Sequence, residues 1–309
     1  MGSPETSRGA RRLKHRLEHA VVRRILRSFA ARPLDEAIER GARLGRLWYA
    51  LDRRHRRLAA GNIRLALGLD APSAARTARA SFENIGRTLA EFSLAAARTD
   101  ELLARFDIEG LDRLHAALAA GRGLLIVTGH CGSWELSGAR LAREVPLTSI
   151  ARAMKNPLVD EAVAAQRRAA GVRTVDSRDA AREVLRTLAR GEAVGVLLDQ
   201  NASRGERVFV NFLGRPAAAN FGLAMLALKS GAPVLPAFSA RGEDGRHRGW
   251  VGPPIEPCSV GERPERIGRT TARYTAAIEA CVRSRPEQWF WVHNRWKRRP
   301  EPGEPVWAP

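Results

Sequence analysis

Short apolar runs separated by helix-length amphipathic stretches fill the sequence after Leu111, and no other feature limits the possible folds so severely. The first run is Gly123 to Thr128, GLLIVT, and similar runs follow at Leu147 to Ala151, Ala193 to Asp199 and Pro233 to Phe238. Runs this short without polar alternation read as strands covered on both faces. Helical patterns cover Leu111 to Ala120, Glu135 to Arg143, Leu158 to Ala170, Arg178 to Arg190 and Phe221 to Ser230, and Gly171, Gly191 and Gly231 close three of them. Strands alternating with such helices predict an α/β layer sandwich with a largely parallel central sheet flanked by helices, whose active site lies at the carboxyl edge of the strands. Residues 111–309 form this core, and residues 1–110 a basic helical N-terminal cap, the two making one integrated domain. The four prolines between Gly252 and Pro264 mark a surface loop.

Charge is one-sided. Lys and Arg number 52 against 33 Asp and Glu, a net +19, and residues 1–68 alone hold 17 basic and 6 acidic residues. Within that segment Leu13, Leu17, Val21, Ile25 and Phe29 recur every four residues among Arg11, Arg12, Lys14, Arg16, Arg23, Arg24 and Arg27, the pattern of a basic amphipathic helix ending before Pro33. A second pattern, Leu34, Ile38, Leu44, Leu47, Trp48 and Leu51, leads into Arg53, Arg54, Arg56 and Arg57. Such helices suit an anionic membrane surface. Nucleic acid would also suit the charge, but no recognition motif or zinc-finger spacing accompanies it. The longest uncharged stretch, Pro216 to Leu228, is well short of the roughly 20 apolar residues of a transmembrane helix. No signal-peptide pattern is expected at the N-terminus. Cys131, Cys258 and Cys281 stand far apart, which gives neither a disulfide framework nor a metal knuckle and suits a reducing compartment.

The chemistry concentrates in GHCGSWEL, Gly129 to Leu136, just after the first strong strand. On one helix His130 and Glu135 would sit about 140° apart, so they cannot share a face. If Gly129 and Gly132 let the chain turn sharply, His130 lies on the loop while Glu135, in the first helical turn, reaches back to the imidazole. That fixes the tautomer and leaves the other ring nitrogen as a general base. A purely structural pairing, His130 capping the helix and Glu135 near its N-terminus, fits the same residue types.

An H-x4-[DE] motif at a strand end resembles the glycerolipid acyltransferase superfamily, and the flanking text resembles its lipid A branch, the late (lauroyl or myristoyl) acyltransferases of lipid A biosynthesis. Arg152 to Pro157, RAMKNP, is similar to that family's Arg-x-x-x-Asn-Pro. LLDQ, ending at Gln200, and the following VFVNFLGRPAA resemble two further motifs, and PEQWFWVHNRWKRRP, Pro286 to Pro300, resembles its C-terminal signature. The likeness runs from about Asn62 to Pro300.

This resemblance implies that His130 deprotonates the acceptor hydroxyl and Glu135 orients it, with direct transfer from a thioester. The donor implied is acyl carrier protein or acyl-CoA; the acceptor is a lipid A precursor or related glycolipid, with a lysophospholipid as the alternative. Arg152 matches a position suited to binding phosphate or stabilising an oxyanion. Asn156, Asp199 and Gln200 are expected at the substrate side, although Asn156 also suits a loop-shaping role and Asp199 a buried one. No metal and no cofactor is implied, and the place implied is the cytoplasmic face of a bacterial inner membrane, held peripherally. Three features depart from the family pattern: no N-terminal transmembrane helix, Asn201 where an acid often follows Asp-Gln, and Asn220 where a hydroxyl residue is usual. Oligomeric state, acyl-chain length and acceptor are left open. A Cys131 nucleophile is disfavoured because neighbours at a strand end point apart, and a non-catalytic basic protein is the remaining class. Trp289, Phe290, Trp291 and Trp296 among Arg295, Lys297, Arg298 and Arg299 are expected to form a buried strand and the start of a helix.

Overall fold

The computed structural model describes the backbone of residues 4–178 and 180–309 and the side chains from residue 11 onward. Four long helices open the chain: α1 (Pro4–Ala30), α2 (Leu34–Leu51), α3 (Arg53–Leu67) and α4 (Ala71–Leu94), followed by the short α5 (Thr99–Leu103). Strand and helix then alternate through β1 (Phe106–Glu109), α6 (Leu111–Ala119), β2 (Leu124–Thr128), α7 (Trp134–Leu141), β3 (Leu147–Ala151), α8 (Pro157–Ala169), β4 (Val172–Asp176), α9 (Ala180–Ala189) and β5 (Ala193–Leu197). A hairpin of β6 (Arg207–Phe212) and β7 (Arg215–Asn220) precedes α10 (Gly222–Ser230), β8 (Val234–Arg241), β9 (His247–Val251), α11 (Arg263–Ser284) and the terminal β10 (Val306–Trp307).

Seven strands pair in the order β1-β9-β8-β2-β5-β3-β4, and every pairing is parallel except β8 with β9. A small second sheet, β10-β6-β7, stands beside it. The layer architecture is thus the expected one. Both faces of β2 are covered, as its unbroken apolar text requires: Leu125 and Val127 pack with Phe82, Ile278 and Trp289, whereas Leu124 and Ile126 pack with Leu114, Leu141 and Leu235. Each such side chain contributes about 1.5–3 kcal/mol on burial.

The helical cap and the sheet interlock across residue 110. β1, inside the expected cap, pairs with β9 in the main sheet. Phe82 of α4 belongs to the same apolar cluster as the sheet. Buried Glu91 of α4 lies 2.8 Å from Nε2 of His247 and 2.6 Å from Arg241, tying α4 to the β8-β9 pair. α2 and α4 cross backbone against backbone, because a Cβ on Gly41 or Gly45 would overlap carbonyls of α4.

α1 divides the apolar stripe read from the sequence. Ile25 and Phe29 pack inward, while Leu13, Leu17 and Val21 are about 60% exposed. A spacing of four residues drifts by about 40° per step on a helix, so Phe29 lies about 160° round from Leu13. The helix therefore has one face on the protein and a second apolar face in solvent. A further correction concerns the C-terminal aromatics. Pro286–Gln288 forms a single 3-10 turn, and the expected strand and helix give way to irregular chain in which Trp289 and Trp291 are buried edge to face, 4.6 Å apart.

Candidate active site

Two glycines shape the loop after β2. Gly132 has φ 58°, and a Cβ there would overlap the carbonyl of Ser239, so only glycine fits without strain. A Cβ on Gly129 would stand only 3.3 Å from Asp199, so the missing side chain admits that carboxylate. α4 fastens the loop from behind, with Asn84 and Thr88 each donating to the Gly132 carbonyl at 3.1 Å.

His130 lies between these glycines, beside Asp199 rather than Glu135. Oδ1 of Asp199 is 2.8 Å from Nδ1 of His130, and its Oδ2 accepts the His130 amide at 2.9 Å and Nε1 of Trp289 at 2.8 Å. β5 is the immediate neighbour of β2 in the sheet, which brings the two strand ends together. Asp199 is only 2% exposed, which places its carboxylate behind the imidazole and matches the buried one of its two expected placements. With Nδ1–H donated to Asp199, the Nε2 lone pair is on the partly open side, where the exposed Gln200 amide comes within 3.4 Å. Trp134 and Phe290 pack on the imidazole at 5.1 and 5.7 Å between ring centroids. Burial alone would lower the His130 pKa, but the charge and hydrogen bond of Asp199 outweigh it, Glu135 adds to them, and the net shift is upward. The same pairing overcomes burial in Asp199 and holds its carboxyl well below the usual range.

Glu135 occupies the first turn of α7 as expected, yet both its oxygens are taken by Arg167 of α8, at 2.6 and 3.0 Å. The expected reach to the imidazole is absent because Arg167 offers a planar two-donor fork, the geometry a carboxylate fills best. Asn156 takes the loop-shaping one of its two expected roles. Its Oδ1 caps α8 by accepting from Leu158 N, while Nδ2 donates to the His15 carbonyl and Glu18 of α1. Arg152 follows β3 directly and is exposed, its charge lowering the pKa of Asp176 behind the hydrogen bonds from Arg178.

Arg167 and Trp289 carry parts of this arrangement that sequence reading did not assign. Nothing local to Arg167 marks it, whereas Trp289 belongs to the singled-out C-terminal segment. From that segment His293 accepts the Asn201 amide at 2.9 Å, and fully buried Arg295 donates to the carbonyls of Gln200 and Ala218 and stacks over Phe212. Burial lowers the Arg295 pKa to about 10. Residues 289–295 thus form a rigid backing for the Asp199–Gln200 turn.

Residues 8–298 match the family model described as bacterial lipid A biosynthesis acyltransferase. The chain belongs to that family. Among its relatives, the lipid A biosynthesis lauroyltransferase of Escherichia coli (strain K12) is 31% identical over 224 residues, covering 72% of each chain. The lipid A biosynthesis palmitoleoyltransferase of the same organism is 28% identical over 264 residues, covering 84% of each. A phosphatidylinositol mannoside acyltransferase of Mycobacterium tuberculosis (strain ATCC 25618 / H37Rv) is 29% identical over 224 residues, 70% of this chain and 69% of its own. The lipid A acyltransferase family match spans both the helical cap and the sheet, in keeping with their shared core.

Proposed function

We propose that the chain transfers a fatty acyl group from the thioester of acyl carrier protein, or of CoA, to a hydroxyl of a lipid A precursor or related glycolipid. The observation that carries this reading is His130, with Nδ1 engaged by buried Asp199 and Nε2 on the open side. Nε2 takes the proton of the acceptor hydroxyl as its oxygen attacks the thioester carbonyl. The tetrahedral intermediate collapses, the C–S bond breaks, and the imidazolium returns its proton to the leaving thiolate. Asp199 holds the tautomer and stabilises the imidazolium. Glu135 adds negative charge near the ring and holds Arg167 through two hydrogen bonds. Arg152 and Gln200 are the residues that meet substrate, Arg152 through phosphate or the developing oxyanion.

Attachment is peripheral, at the cytoplasmic face of the inner membrane. Among the described residues no helix is long and apolar enough to cross a membrane. Leu13, Leu17 and Val21 form the outer apolar face of α1, and Arg12, Arg16, Arg23 and Arg27 run along one side of it, all exposed. The relatives named for lipid A and for phosphatidylinositol mannoside keep two glycolipid classes as acceptors. Incubating the purified chain with acyl carrier thioester and each acceptor, with mass spectrometry of the lipid, tests the reading. A mass gain of one acyl group that is lost in His130→Ala supports it, and no gain on any glycolipid overturns it.

A further inference from the structure

Asn156 joins the outer helix to the active-site rim. Its Nδ2 donates to the His15 carbonyl at 3.0 Å and to Glu18 Oε2 at 2.9 Å, while its Oδ1 accepts from Leu158 N at 3.0 Å. On the rim side, Met154 N donates to Asp160 of α8 at 2.9 Å, so residues 152–160 form a braced unit. Arg152 begins that unit. In the sheet order β2-β5-β3 it stands two strands from the end that carries His130, a spacing of about 10 Å.

The residues flanking this joint expose apolar side chains to solvent. Met154 is 48% and Leu158 41% exposed on the rim, and Leu13 and Leu17 are about 60% exposed within one turn of the residues Asn156 grips. Along α1, Arg11, Arg12, Lys14 and Arg16 alternate in sequence with Leu13 and Leu17, and along the rim Arg152 and Lys155 flank Met154, all of them exposed. Exposed apolar side chains set among cations are complementary to the outer layer of an anionic bilayer, where acyl chains lie beneath phosphates.

We infer that α1 and the 152–158 rim dock on an anionic bilayer as one surface, and that Asn156 is the positioning residue that couples docking of the helix to placement of the rim. This rests on the membrane attachment proposed above and extends it from the helix to the cleft. Bilayer contact then sets Arg152 and the strand end that carries His130 near the depth of lipid headgroups, where a glycolipid acceptor presents its hydroxyls.

The three native cysteines are buried, so a single surface cysteine in the full chain can carry an environment-sensitive fluorophore. Leu17→Cys and Met154→Cys, each labelled, report the helix and the rim on mixing with phosphatidylglycerol–phosphatidylcholine vesicles containing brominated lipid. Both probes are expected to be quenched. Asn156→Asp keeps the α8 cap, since a carboxylate accepts from Leu158 N, but loses the donors and repels Glu18. It should leave the probe at position 17 quenched while weakening the rim response about tenfold, the loss expected for hydrogen bonds to a charged group. Adding Glu18→Lys, which can pair with the new carboxylate, should restore it, with melting temperatures confirming that each variant is folded. Quenching at position 17 with none at position 154, or an Asn156→Asp variant that keeps the full rim response, would overturn the coupling. Silence at both positions would instead remove membrane attachment itself. Neither probe needs turnover, so the result stands apart from the acyl-transfer assignment.

Discussion

The carboxylate of Asp199 faces Nδ1 of His130 at 2.8 Å and also receives the amide hydrogen of the same residue at 2.9 Å. Ring and backbone are thereby held by one buried group. Glu135, five residues along the chain, raises the His130 pKa only through its charge and is itself paired with Arg167.

Asp199→Asn preserves shape but leaves His130 able to carry its proton on Nε2, where a base needs a lone pair. Its kcat should fall by roughly 100-fold or more, the scale of general-base and tautomer losses. Glu135→Gln keeps a hydrogen bond to Arg167 and should lose less. Steady-state rates with acyl carrier donor decide the order, and a larger loss at Glu135 would return the orienting role to it.

The pH profile follows from the upward shift of His130. As the proposed general base His130 must be neutral, so activity should fall as pH drops through a pKa above the ordinary value of about 6.5. Asp199→Asn removes the charge that raises it and should move this limb to lower pH, and Glu135→Gln should move it less. Stability runs the other way: the imidazolium–carboxylate pair stabilises fully below about pH 6.5 and its contribution is lost as pH rises through the raised value. Melting temperatures of wild type and His130→Ala across that range should therefore converge as pH rises.

Cys131 follows His130 in the chain but is only 4% exposed, and its thiol pKa is pushed well up by a hydrogen bond with Cys281 and by burial. A thiol that is neither accessible nor ionised is a poor nucleophile. Cys131→Ala should retain most of kcat and cost about 1 kcal/mol of stability at most. Abolished transfer in a folded variant would revive a thiol mechanism.

Arg152→Lys keeps the charge and loses the planar fork. If Arg152 grips acceptor phosphate, the acceptor KM rises and slow hydrolysis of the donor thioester survives. If it stabilises the oxyanion, kcat and donor hydrolysis fall together. Unchanged kinetics in both assays would leave Arg152 outside the machinery.

Local text was enough for the layers. The period change after Leu111 placed β2, β3, β5 and β8 to within a few residues, because a strand buried on both faces must be apolar throughout. GHCGSWEL likewise marked the loop, since Gly132 must adopt a left-handed conformation that a side chain would oppose. The partner of His130 was decided only in three dimensions. Both Glu135 and Asp199 are carboxylates within reach of a strand end, and the choice between them depends on β5 lying beside β2 and on Arg167, 32 residues beyond Glu135, claiming both its oxygens. The four-residue stripe of α1 looked like one face for a related reason. Repetition can be counted along the chain, but the 40° drift per step acquires meaning only when packing fixes which side of the helix is inward. Sequence records which groups are available, whereas strand order and competing charges settle which of them meet.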